Sequence, residues 1–141
     1  MASRDLNDLH PELLPLAYKF LTRLKDNKLD IIVTCTWRSP TEQAELYAIG
    51  RTKPGKIVTN AKAGQSEHNY IINGKPAAKA FDIVPLVSGK CVWNADTDVW
   101  KKIGELWSLG IMAGDNYLDW YGKRGAQFPE VFHFCLKTKT R

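Results

Sequence analysis

Only three histidines occur in the 141 residues, at positions 10, 68 and 133. His68 stands in the turn-forming stretch GQSEHN. Asp82 follows fourteen residues later in KAFDIVPL, flanked by Phe81 and Ile83. His133 lies between Phe132 and Phe134 near the other end of the chain. Two imidazoles and a carboxylate are a donor set that suits catalytic zinc, which takes three protein ligands and keeps a fourth position for water. Burying an unpaired carboxylate in an apolar strand is costly. Asp82 therefore needs compensation from a metal ion, from an arginine, or from exposure on an open sheet face. Taken alone, His133 reads more commonly as a hydrogen-bonded core imidazole.

Two further residues could act on a substrate beside such a site. Glu130 precedes His133 by three, and a carboxylate within reach of an activated water is the natural general base for hydrolysis. On a straight strand Glu130 and His133 would face opposite sides, so a shared site requires a bend, which Pro129 makes plausible. Arg38 sits where a strand meets a capped helix. There it could bind a carboxylate or polarise a carbonyl, or else form a surface ion pair, with Asp82 as one partner.

The elements that must position these groups are legible from periodicity and turn chemistry. HPELLPLAYKFLTRLKDN places Leu13, Leu14, Ala17, Phe20, Leu21 and Leu24 at helical spacing, with Pro15 in the first turns. DIIVTCTW is β-branched and short enough for a core strand. RSPTEQAELYAIG carries Ser39 as an N-cap, Pro40 at the first helical position, Glu42 three after the cap and Gly50 as the stop. Residues 51–67 lack periodicity, and a loop of that length in a small domain is usually functional or mobile. KAFDIVPL, VSGK and CVW read as strand, turn and return strand. Asn94 or Asp96 is expected to cap a helix running through Leu109. A short strand at 111–113 and a final strand, VFHFCL, complete a single α+β domain spanning 1–141, without regular βαβ alternation.

Composition narrows the setting. One domain of this length buries a core without staples, and Cys35, Cys91 and Cys135 form no CxxC pair, so free thiols are expected. The N-terminus has no apolar stretch of signal-peptide length, and no run reaches the length of a membrane span. Synthesis in the cytoplasm without a membrane anchor is the expectation. The net charge of +5 suits anionic partners such as nucleic acid, lipid headgroups or cell-wall polymers, or simply makes a solubilising surface.

In order along the chain, five segments resemble those of the LAS metallopeptidases, the VanY/VanX-like M15 group. SEHN…AKAFDIVP is similar to their S-x-H-x-x-G-x-A-x-D pattern, and FPEVFHFCL to the acidic-x-x-His-Phe segment that closes the site. TWRSPTEQAELYAIG resembles the G-x-R-(T/S)-x-x-x-Q-x-x-L stretch, while LVSGKCVWN and LGIMAGDNY resemble two connecting segments. The resemblance is strongest to short phage endolysins that cleave the L-alanyl–D-glutamate bond of peptidoglycan stems. It implies a small α+β domain with helices on a mostly antiparallel sheet. It also implies Zn2+ held by His68, Asp82 and His133, with Glu130 as catalytic base, Arg38 contacting substrate or transition state, and Ser66 as a nearby polar support. The implied setting is phage-mediated lysis by a monomer, held in the host cytoplasm until a holin opens the way to the periplasm and cell wall, with no nucleic-acid partner.

This chain departs from the pattern in four places, one being Glu130, where phage relatives often have Asp. IINGKPA lengthens the segment between His68 and Asp82 and is expected to form a hairpin beside the site. Ala78 replaces the pattern's glycine. Cys135 stands two residues after His133, on the same strand face, as a packing group or a soft fourth ligand. Two other readings compete: a D-Ala-D-Ala carboxypeptidase or dipeptidase of the same family, and a non-catalytic wall-binding module using Tyr117, Trp120 and Tyr121.

Overall fold

A computed structural model describes residues 2–124 and 131–140. The first long helix, α1 (Leu14–Asp26), carries Pro15 in its opening turn, where the missing N–H costs nothing. Its apolar face buries Leu16, Ala17, Phe20 and Leu24. Helix α2 (Pro40–Ala48) starts as predicted: Ser39 Oγ accepts the Glu42 N–H at 3.1 Å. Gly50, at φ +82°, turns the chain away beyond it. Helix α3 (Asp98–Ser108) begins later than the sequence suggested. Its N-cap is Thr97, because Asn94 Oδ1 is used in a local turn that takes the Asp96 N–H.

Among the described residues, eight strands form two sheets. They are β1 (Asp30–Cys35), β2 (Ile71–Ile72), β3 (Lys75–Pro76), β4 (Ala80–Val87), β5 (Lys90–Cys91), β6 (Met112–Ala113), β7 (Asn116–Trp120) and β8 (His133–Thr138). The main sheet runs β1-β4-β8-β7-β6, with β5 hairpinned onto β4, and every pairing in it is antiparallel. The β4–β5 turn places Ser88 and Gly89 at positive φ, as a two-residue hairpin requires. The expected insertion hairpin is present as β2–β3, turned by Asn73 and Gly74, both at positive φ. The final strand starts at His133, two residues later than VFHFCL implied.

Helices α1 and α3 cover one face of the sheet. Phe81 and Ile83 of β4 and Phe134 of β8 join Phe20, Trp100 and Ile103 in the core beneath them. Phe134 anchors the packing, lying 5.6 Å from the Phe81 ring, 5.9 Å from Trp120 and 5.0 Å from Phe20. Trp120, which the sequence placed among exposed aromatics, is a core residue, because β7 alternation turns it toward α3. Side chains alternate along a strand, so with Phe81, Ile83 and Phe134 facing the helices, Asp82 and His133 are directed to the opposite face. No helix among the described residues is long and apolar enough to cross a membrane.

Candidate functional site

On that second face, Asp82 is paired in register with Cys35 of β1 on one side and with His133 of β8 on the other. Three chemically capable residues thus form a row across three adjacent strands. A single helical turn, Glu67–Asn69, supplies the remainder. Ser66 Oγ caps it by accepting the His68 N–H, and Asn69 closes it reciprocally. Arg38 N donates to His68 O at 2.8 Å and Asn69 Nδ2 donates to Arg38 O at 2.8 Å, fastening the turn to the chain after β1. Ser66, expected as a polar support, serves as that cap.

The predicted trio meets at one atom. His68 Nε2 lies 3.2 Å and His133 Nδ1 3.0 Å from the same Asp82 Oδ1. The far nitrogens are also held. His68 Nδ1 donates to Thr36 O at 2.7 Å, and His133 Nε2 meets Glu67 Oε1 at 2.9 Å. A neutral imidazole has one donor and one acceptor nitrogen. Each ring here has both nitrogens against an oxygen acceptor, so without a metal each must carry a proton on both. The pKa values follow: burial opposes charge on His68, but Asp82 outweighs it and pushes the ring up to about 10. His133 is raised as well, burial being overcome by hydrogen bonds to Asp82 and Glu67. Asp82, though fully buried, is held well below the carboxylate range by the two rings. A divalent cation beside Asp82 Oδ1 would remove the need for the two inner protons, because the inward nitrogens would then offer lone pairs to it. The donor set fits zinc on that ground.

Among the described residues, two sets of donors are close enough to share an ion: Cys35, His68 and Asp82, and Glu67, His133 and Cys135. The His133–Asp82 contact joins them. Cys35 and Glu67 were not singled out from sequence; the signal for Glu67 was its place beside His68 in a capped turn. Cys135 is buried, and burial together with Glu67 pushes its thiol far above the ordinary range. All three cysteines are free, as expected.

Arg38 makes no ion pair with Asp82 among the described residues. Its Nη1 donates to Gln43 Oε1 at 2.9 Å, and Nη2 lies 3.5 Å from Cys35 Sγ. Gln43 is fully buried and its Nε2 donates to Ala61 O at 2.8 Å. One amide thereby ties Arg38 to the long 51–67 loop. A cleft of about 480 Å3 reaches Arg38, Cys35 and Asp82, with Trp93 and Phe132 along its wall. Tyr121, named earlier only as an aromatic for wall binding, donates instead to Glu67 Oε1 at 2.9 Å. Lys137 Nζ stands 3.9 Å from Glu67 Oε2. Glu130, the expected base, lies outside the described residues.

An antiparallel sheet with helices on one face and two histidines sharing an aspartate on the other is the architecture of a small LAS-type peptidase. No protein-family model matches the chain. Among curated proteins it is 36% identical over 133 residues to the peptidoglycan L-alanyl-D-glutamate endopeptidase CwlK of Bacillus subtilis (strain 168), spanning 89% of this chain and 73% of that protein. Among solved structures it resembles the Serratia marcescens L-Ala D-Glu endopeptidase ChiX, with a TM-score of 0.59, 19% identity, and coverage of 97% of this chain and 89% of the other. At that identity the likeness is one of fold. The chain belongs to the M15 (LAS) peptidase family.

Proposed function

We propose that this protein is a zinc-dependent endopeptidase that hydrolyses the L-Ala–D-Glu bond of bacterial peptidoglycan stems. The observation that carries the reading is the convergence of His68 and His133 on one oxygen of buried Asp82, in a chain 36% identical to CwlK. Zinc, when held by His68, Asp82 and His133, supplies a Lewis acid and lowers the pKa of water. Thr36 O and Glu67 hold the outer nitrogens of the two rings and so orient the inner ones. Arg38, braced by Gln43, presents its guanidinium at the cleft to a substrate carboxylate or to the carbonyl under attack. Glu130 takes a proton from the attacking water and returns it to the departing D-Glu amine, so that one water is consumed per peptide bond broken. Trp93 and Phe132, ring to ring, form an apolar wall of the cleft beside Arg38 and Asp82.

Resemblance to short phage endolysins supports a further reading, that the enzyme acts in host lysis as a single-domain monomer, waiting in the cytoplasm and reaching the wall through a holin's pore. Expression in a susceptible bacterium with and without a holin tests it: lysis without one counts against this deployment. The activity is tested by incubating purified protein with isolated peptidoglycan and identifying new termini by mass spectrometry. New D-glutamate amines, absent with a chelator or with Glu130→Ala, are the expected result. Release of terminal D-alanine alone would make the enzyme a carboxypeptidase. Absence of new termini from folded, zinc-loaded protein would refute the proposal.

A further inference from the structure

Each imidazole of the site presents one nitrogen to Asp82 and has the other held from behind. For His68 the holder is a backbone carbonyl, which can only accept. For His133 the holder is a side chain, Glu67, and this choice has consequences that a carbonyl would not. We propose that Glu67 is a positioning residue: with Tyr121 it keeps the proton of His133 on Nε2 and turns Nδ1 inward as a lone pair, thereby setting the site's grip on a divalent cation. This inference rests on the zinc reading above.

The argument is one of competition for a proton. Asp82 Oδ1, 3.0 Å from His133 Nδ1, would by itself draw the ring's proton to Nδ1. A ring in that tautomer has no inward lone pair and cannot ligate. Glu67 Oε1, 2.9 Å from Nε2, opposes Asp82 from the other side. Both holders are acceptors, so zinc can displace the inner proton while the outer one stays on Glu67. Carboxylates behind metal-bound histidines act in this way generally.

The surroundings suit a positioner better than a ligand. Glu67 Oε1 receives two donors, His133 Nε2 and the Tyr121 hydroxyl, each at 2.9 Å, and Lys137 stands near the other oxygen. The carboxylate is therefore satisfied with no ion of its own. Its backbone is fixed too: the Glu67 carbonyl accepts the Lys79 N–H at 2.9 Å, inside the same capped turn that carries His68. The Tyr121 ring packs 4.5 Å from the His133 ring, which hinders that ring from flipping. One turn thus supplies a ligand and orients a second ligand that is 66 residues away.

The test compares wild type with Glu67→Ala, Glu67→Gln and Tyr121→Phe. Zinc affinity is read by competition with a chromogenic chelator, and the His133 tautomer by long-range proton–nitrogen NMR of the zinc-loaded protein. Glu67→Ala is expected to weaken zinc binding by roughly 10–100-fold and to scramble the His133 nitrogen shifts. Glu67→Gln keeps an amide oxygen to accept from Nε2 and should recover part of that affinity, in a variant of nearly unchanged shape. Tyr121→Phe removes one donor from Glu67 and should give a smaller loss. Wild-type affinity and unchanged shifts in Glu67→Ala would overturn the inference while leaving the zinc reading standing. A wild type that binds two zinc ions, with one lost in Glu67→Ala, would overturn it by making Glu67 a ligand. A wild type that binds no zinc would overturn both.

Discussion

Removing metal should invert the pH dependence of this protein's stability, and the size of the effect follows from one pKa. In the folded metal-free chain His68 titrates at about 10 against 6.5 when unfolded. A raised pKa means the charged ring stabilises the fold fully below pH 6.5, and that contribution is lost as pH rises toward 10. Between pH 6.5 and 8.5 the loss is somewhat under two units at ~1.36 kcal/mol each, roughly 2 kcal/mol, because the unfolded ring is still half protonated at pH 6.5. For a domain of this size that is roughly 8 °C in Tm. His133 shifts in the same direction and adds to it. Asp82 has the opposite sign: its pKa is depressed, so its contribution is present above 3.8 and lost as pH falls through the folded value. Metal-free protein should therefore be most stable between about pH 4 and 6.5. Zinc must displace protons from the same rings, so its stabilising effect should grow over the range where the metal-free form weakens. Differential scanning calorimetry at pH 5.5, 6.5, 7.5 and 8.5, with chelator and with excess zinc, measures both curves. A chelated protein whose Tm is flat or rises from pH 6.5 to 8.5 would refute the shared-carboxylate geometry, and His68→Gln, which removes the titrating ring, should flatten the slope.

Glu130→Ala should lower hydrolysis by about 10²–10⁴-fold with zinc stoichiometry unchanged by atomic absorption; loss of zinc instead would make Glu130 a ligand. Gln43→Ala strips Arg38 Nη1 and Ala61 O of their partner. It should cost about 1–3 kcal/mol in urea unfolding and raise KM for stem peptides, whereas an unchanged KM would detach Arg38 from substrate binding. At Gly104 in α3 a methyl group would sit 2.8 Å from Trp120 Cζ3. Gly104→Ala is expected to destabilise by about 1–3 kcal/mol; a neutral result would show that Trp120 is not seated against α3.

The parts of the molecule governed by local rules were legible in the sequence. Helix α2 could be placed by Ser39, Pro40 and Gly50 because caps and stops act within one turn. The hairpin within IINGKPA could be placed because Asn-Gly supplies two residues that tolerate positive φ. What escaped depends on register between strands far apart in sequence. Cys35 faces Asp82 only because β1 and β4 pair with an irregularity between Val33 and Cys35. Glu67, Tyr121 and His133 meet only because strand pairing brings β7 and β8 beside the turn that carries Glu67. The start of α3 was missed for a different reason: Asn94, a good cap by type, spent its side chain on a tighter local turn.

The lengthened segment between His68 and Asp82 shows why spacing alone is a weak guide to a ligand set. The extra residues leave and return at one point, since Ala77 N donates to Tyr70 O at 2.9 Å across the base of the β2–β3 hairpin. The path to the Asp82–His133 row therefore resumes beyond the hairpin as if residues 71–76 were absent. Ala78 then follows in the core, fully buried, with its N–H donating to Asp8 O and its carbonyl accepting from His10 N. Both contacts tie the chain to the N-terminal segment before it enters β4. Because those contacts are made by backbone, alanine serves in place of the family pattern's glycine so long as one methyl group fits. From Ala80 onward the β1–β4–β8 register places Asp82 beside His133. An insertion that closes on itself is thus tolerated beside the site because the Asp82–His133 geometry is fixed by the paired strands and not by the length of chain between His68 and Asp82.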